Sequence, residues 1–180
     1  MILAGGTAAR LDGVDKASLE HGGSTFLEHA LAATRDAGEV VVVGEPVPTS
    51  RPVTFVREDP PLGGPVAGLV AGRRALAGRP DAVVVLAVDM PFVTPATLRR
   101  LVGADGPDGA ALVASDGRRR LVLLLRTEAL DAATTGDPQG RSVRSMLEPL
   151  ALADVPAEGH EAHGVDTRRD LRDLRDLPDA

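Results

Sequence analysis

Gly5 and Gly6 close a short apolar run, and Arg10, Gly13 and Lys16 follow them in a loop. Glycines at the carboxyl end of a strand let backbone N–H groups approach a phosphate or a base edge with no Cβ in the way. Arg10 would bring a planar fork to a polyphosphate and Lys16 a compact point charge. The plainer alternative is a tight turn beside a surface lysine. Composition argues against it, because Lys16 is the single lysine among 20 cationic residues. The loop has neither the G-x-G-x-x-G of dinucleotide folds nor the Gly-Lys-Ser/Thr of a P-loop. On spacing alone it is an anion-binding loop of no particular class.

A second candidate is Asp89, the carboxylate that ends the apolar run 83–88. Open parallel sheets bind ligands beyond the carboxyl ends of their strands. A carboxylate delivered there needs a partner, and Mg²⁺ held by one or two carboxylates plus substrate phosphates suits it. The competing role is a cap for the helix that begins near Pro95. A third candidate is Glu58-Asp59, followed by Gly63-Gly64-Pro65-Val66-Ala67-Gly68. An acidic side chain beside exposed amides can accept hydrogen bonds from the N1–H and exocyclic amine of guanine; otherwise the pair only solvates a loop. The histidines His21, His29, His160 and His163 show no ligand spacing.

These residues need elements to position them. Continuous Val- and Leu-rich runs predict strands at 1–4, 40–43, 53–56, 82–88, 111–114 and 121–125, buried on both faces as parallel strands are. Helices are predicted over 26–37, 66–77, 96–102 and 168–177, with caps at Ser24-Thr25, Pro65, Thr94-Pro95 and Thr167 and stops at Gly38 and Gly78. The alternation predicts a three-layer α/β/α fold around a mostly parallel sheet. At 180 residues, with no loop long enough to be a linker, the chain reads as a single domain over 1–180.

Composition removes several classes. There is no cysteine, so thiol chemistry and Cys-based metal sites are out. The net charge of −6 and the near absence of aromatics argue against nucleic acid, which asks for a basic footprint or stacking platforms. No apolar run is long enough to span a membrane, and a cytoplasmic location is expected.

Leu3-Ala4-Gly5-Gly6, Arg10 and Gly13-Val14-Asp15-Lys16 resemble the signature L-A-G-G-x-x-x-R-(x)-x-G-x-D-K of the nucleotidyltransferase superfamily with a glycosyltransferase-A-like, Rossmann-like fold. Within it, the chain is most similar to the molybdenum cofactor guanylyltransferase (MobA-like) family, over residues 1 to about 174. The resemblance implies nucleotide contacts at Leu3, Ala4, Gly5, Gly6, Arg10, Gly13 and Lys16. It also implies a base pocket at Asp59, Gly64, Pro65 and Gly68, and magnesium on Asp89. Gly164-Val165-Asp166-Thr167 resembles the family's N-x-N-T stretch. Gly164 there replaces the first Asn, and Asp166 replaces the second and supplies a further carboxylate to the metal, or else simply caps a helix with Thr167. Arg119-Arg120 stand where the family often has His/Pro or Gln/Pro, and Arg141 and Arg144 resemble its basic stretch.

The implied reaction moves GMP from GTP to the phosphate of a molybdopterin-type cofactor, with Mg²⁺, Arg10, Lys16 and Asp89 as the catalytic set and pyrophosphate as leaving group. A monomer or small homo-oligomer, in contact with a molybdoenzyme or a cofactor-synthesis protein, is the implied setting. Competing readings are cytidylyl or other nucleotidyl transfer to a different phosphorylated small molecule, and a non-catalytic nucleotide-binding role.

Overall fold

The computed structural model of the chain describes residues 1–5, 15–59, 61, 63–104 and 106–174. In chain order its elements are β1 (Ile2–Leu3), a two-stranded hairpin of β2 (Glu20–His21) and β3 (Ser24–Thr25), α1 (Phe26–Ala33), β4 (Val41–Val43), β5 (Thr54–Val56) and α2 (Pro65–Ala75). There follow β6 (Ala82–Ala87), α3 (Pro95–Val102), β7 (Gly109–Val113), β8 (Arg119–Arg126), α4 (Thr127–Ala133), α5 (Val143–Leu147), β9 (Leu152–Pro156) and α6 (Arg168–Asp173). Seven strands form one sheet in the order β5-β4-β1-β6-β8-β7-β9. β1 pairs in parallel with β4 and β6, β4 with β5, and β7 with β9, whereas β8 runs antiparallel to both its neighbours.

Successive strand residues point to opposite faces, and both faces are dry. Ile2, Val42, Leu86, Leu112 and Val122 pack under Phe26, Leu27 and Leu31 of α1 and Leu98 and Leu101 of α3. Leu3, Val43, Val85, Leu123 and Leu125 pack under Val66 and Leu69 of α2, Leu130 of α4 and Met146 and Leu147 of α5. The result is the three-layer α/β/α arrangement that the unalternating apolar runs predict.

The caps follow side-chain chemistry. Thr25 accepts from the Glu28 amide, and Thr94 and Thr167 close reciprocal capping boxes with Thr97 and Asp170. α1 stops at Ala33, short of the expected 37, with Thr34 as its C-cap out of helical conformation at φ −91° and ψ 18°. α2 lies close on the sheet at Gly72, where a Cβ would sit 2.6 Å from Met1 Sδ and 2.9 Å from Val43 Cγ2. Features not expected from sequence include the β2–β3 hairpin, the 3₁₀ turn at Lys16–Ser18, α4, and β9 at the sheet edge. The described helices include none long and apolar enough to cross a membrane.

Candidate functional site

The site is built at one edge of the sheet. β1 ends at Leu3 and delivers Ala4 and Gly5 there, β6 ends at Ala87 and delivers Asp89, and β5 is followed by Glu58. α2 starts at the same edge, with Gly64 as its N-cap and no side chain capping its first turn. Gly64 holds φ at +91°, a conformation that a Cβ disfavours. These residues, with Lys16, Pro65, Gly68 and Leu121, line a cavity of about 430 Å³. A larger apolar cavity of about 780 Å³ opens at the other end of the strands, beside Met1, Val40 and Ala82. It holds none of the candidate chemistry, and parallel sheets present ligands at their carboxyl ends.

Lys16 opens a 3₁₀ turn, Lys16–Ser18, whose geometry is set by Asp15. The Asp15 carboxylate accepts from the Ala17 amide at 3.1 Å and from the Ser18 hydroxyl at 2.9 Å. From that turn the Lys16 ammonium reaches Asp89 Oδ2 at 2.7 Å and Asp166 Oδ1 at 2.6 Å. The two carboxylate oxygens therefore lie no farther apart than the sum of those distances. Burial works against the ammonium's charge, but its hydrogen bonds and charge attraction to Asp166 and Asp89 outweigh burial and raise its pKa. Lys16 and Asp89 are largely covered, with side chains 21% and 20% exposed, while Asp166 is 66% exposed and faces the opening.

Asp166 reaches the site because its loop is stitched down. The Val165 amide donates to the Asp89 carbonyl at 3.0 Å and the Val165 side chain is fully buried. The Asp166 and Thr167 amides both donate to Asp170 Oδ2. Burial raises the Asp170 pKa, but these amides and the Thr167 hydroxyl outweigh it and keep the carboxyl below its ordinary range. On the loop's far side Glu161 accepts from Thr97, Arg100 and the Glu158 amide.

The structure thus brings together Leu3, Ala4, Gly5, Lys16, Gly64, Pro65, Gly68 and Asp89 in one cavity, with Asp166 bound to Lys16 beside it. Gly6, Arg10 and Gly13 lie outside the described residues. Glu58 lines the cavity, its Oε2 3.9 Å from where a Cβ on Gly5 would sit, while the adjacent Asp59 is exposed. Arg141 donates to the carbonyls of Ala133 and Thr135, a structural use. His21, His160 and His163 surround Phe92, and His21 also lies beside His29. Sequence spacing hid that gathering because the histidines come as two pairs from segments about 130 residues apart. The described residues contain no group of three or more His, Cys, Asp or Glu placed to hold a metal.

Residues 1–155 match the model of the MobA-like NTP transferase domain. A molybdenum cofactor guanylyltransferase from Acidiphilium cryptum is 40% identical, over 73% of this chain and 68% of that protein. Another from Mesorhizobium japonicum is 33% identical over 92% of this chain and 86% of that protein. The crystal structure of molybdopterin-guanine dinucleotide biosynthesis protein A from Archaeoglobus fulgidus superposes with a TM-score of 0.72 at 24% identity, covering 97% of this chain and 95% of that one.

Proposed function

This chain belongs to the MobA-like NTP transferase family and is a nucleotidyltransferase, and from that premise we propose that it transfers GMP from GTP to the phosphate of a molybdopterin-type cofactor. An acceptor phosphate oxygen attacks the α-phosphorus of GTP, the Pα–O–Pβ bond breaks, and pyrophosphate leaves with that bond's electrons. The acceptor is already an anion and needs no general base. Catalysis then consists of in-line positioning and charge neutralisation.

One observation carries this reading: an ammonium held between two carboxylates, on the wall of a glycine-lined cavity at the carboxyl ends of parallel strands. Asp89 and Asp166 are hard oxygen donors that here share the Lys16 ammonium, and a metal held by both would displace that ammonium toward the phosphates. They fit Mg²⁺, which commonly takes one or two protein carboxylates and completes its shell with phosphates and water. Bound there, the ion would neutralise triphosphate oxygens and fix their orientation. Lys16 supplies a point charge to the departing pyrophosphate. Gly5 and the uncapped first turn of α2 present backbone N–H groups, and Glu58 accepts the N1–H and exocyclic amine of guanine.

A panel of the four nucleoside triphosphates, assayed for pyrophosphate release with Mg²⁺ and molybdopterin, tests the proposal. Release should depend on the acceptor and be fastest with GTP. Fastest release with CTP would move the chain to cytidylyl transfer, and tight GTP binding with no release would make it a non-catalytic binder.

A further inference from the structure

The two carboxylates that fit a metal are both bonded to Lys16. Its ammonium lies 2.7 Å from Asp89 Oδ2 and 2.6 Å from Asp166 Oδ1. Mg²⁺ holds its oxygens at about 2.0–2.1 Å, so an ion taking these two would sit within about 5 Å of the ammonium nitrogen. Three positive charges would then face two carboxylates at contact range. Lys16 and Asp89 are largely covered, and water and salt screen such repulsion poorly there.

The ammonium is built to hold this position and also to leave it. The turn capped by Asp15 fixes the Lys16 backbone, while the four-carbon stem above it is flexible. Lys16 also lines the cavity that the glycines Gly5, Gly64 and Gly68 help to enclose, so the stem has room to swing away from the carboxylates. An arginine would grip carboxylates through two parallel bonds and yield less readily. That is a physical reason for the single lysine of an arginine-rich chain to stand here.

We infer that Lys16 competes with the metal for Asp89 and Asp166, keeping divalent cations off both carboxylates until a triphosphate brings the negative charge that the two cations need together. Metal and nucleotide then enter as one unit, and the ammonium swings from the carboxylates to the phosphates. The inference rests on the nucleotidyl-transfer reading for the triphosphate. The competition itself needs only the three side chains.

Mn²⁺, followed by loss of its free-ion electron paramagnetic resonance signal, tests the competition without nucleotide or turnover. Lys16→Met should bind Mn²⁺ at least about tenfold more tightly than the unaltered chain, the factor for a site otherwise open about a tenth of the time. Adding Asp166→Asn to Lys16→Met should abolish the gain, and Lys16→Arg should show none. Equal or weaker binding by Lys16→Met overturns the inference. The unaltered chain supplies the second arm, because isotope labelling of its single lysine gives one side-chain NMR signal to follow. Mg²⁺ with GTP should shift that signal, and the same concentration of Mg²⁺ alone should leave it in place. An equal shift with Mg²⁺ alone overturns the inference. A signal unmoved by Mg²⁺ with GTP, in a chain whose Lys16→Met form still gains Mn²⁺, would sink the nucleotide reading and leave the competition standing.

Discussion

Lys16 stands where three separate parts of the chain meet. Its neighbours Asp89 and Asp166 are 73 and 150 residues away in sequence, so the contact is a product of the fold. Replacing it removes the one compact cation the site holds among the described residues. Lys16→Ala should lower turnover at least about 100-fold, in the range lost when a preorganised charge-stabilising group is deleted, and leave the circular dichroism spectrum unchanged. Retention of near-normal turnover would remove Lys16 from the chemistry. Glu58 and Asp59 make a sharper comparison. Loss of a charged acceptor is worth about 1.5–3 kcal/mol, so Glu58→Gln should raise the KM for GTP by at least about tenfold, and Asp59→Asn, on an exposed side chain, by much less. Equal effects, or the reverse order, would restore Asp59 as the base-reading carboxylate. Lys16 and Asp89 were legible in the sequence because one is the sole lysine and the other ends an apolar run. Which of two adjacent acids faces the cavity depends on strand pleat and on the turn after β5, and composition carries no trace of either.

At the scale of elements, the loop that carries Asp166 is anchored from both sides. Glu161 is 8% exposed and ties that loop to Thr97 and Arg100 of α3. Burial alone raises its pKa, but the Arg100 hydrogen bond and charge, with the Glu158 amide and Thr97, outweigh it and leave the carboxyl below the ordinary glutamate range. A depressed folded-state pKa means that the stabilisation is complete above the unfolded-state value and is lost as pH falls through the folded one. Stability measured by urea unfolding should therefore drop on acidification below the ordinary glutamate range, and Glu161→Gln should flatten that limb. An unchanged acid limb would remove this anchor. α2 offers a second test at Gly72. Gly72→Val must displace Met1 or Val43 and should cost about 1–3 kcal/mol, visible as a lower urea midpoint.

The elements also explain what sequence reading reached. β4 and β6 announced themselves as unbroken runs of Val, Leu and Ala because both faces of the sheet are covered. β9 did not, since Leu152-Ala153-Asp154-Val155-Pro156 lies at an edge, where an acid and a proline are tolerated. α4 was missed because Arg126 passes directly from strand to helix with no glycine or proline between. The hairpin at Glu20–Thr25 is too short for periodicity to register.

As a whole the protein carries a net charge of −6, so its overall field repels a triphosphate and binding must be local. The fold meets that need at the carboxyl ends of its parallel strands, where β1 and β6 deliver Gly5 and Asp89 beside Lys16. A ligand that binds only the folded chain stabilises it by about 2.7 kcal/mol at 100 times its Kd, and each kcal/mol shifts Tm by roughly 2–4 °C at this size. GTP with Mg²⁺ at that excess should therefore raise Tm by about 5–11 °C, and ATP should raise it much less. An equal response to both would remove the base selectivity.

Guanylyl transfer is proposed to take place at Lys16, Asp89 and Asp166. Mass-spectrometric detection of the guanine dinucleotide of molybdopterin, formed from GTP, Mg²⁺ and the acceptor, tests it most directly. The unaltered chain should make that product with matching pyrophosphate, and Lys16→Ala and Asp89→Asn should not, although both remain folded. Comparable product from either variant would place the chemistry elsewhere in the chain, and none from the unaltered chain with all three components present would rule out guanylyl transfer to molybdopterin.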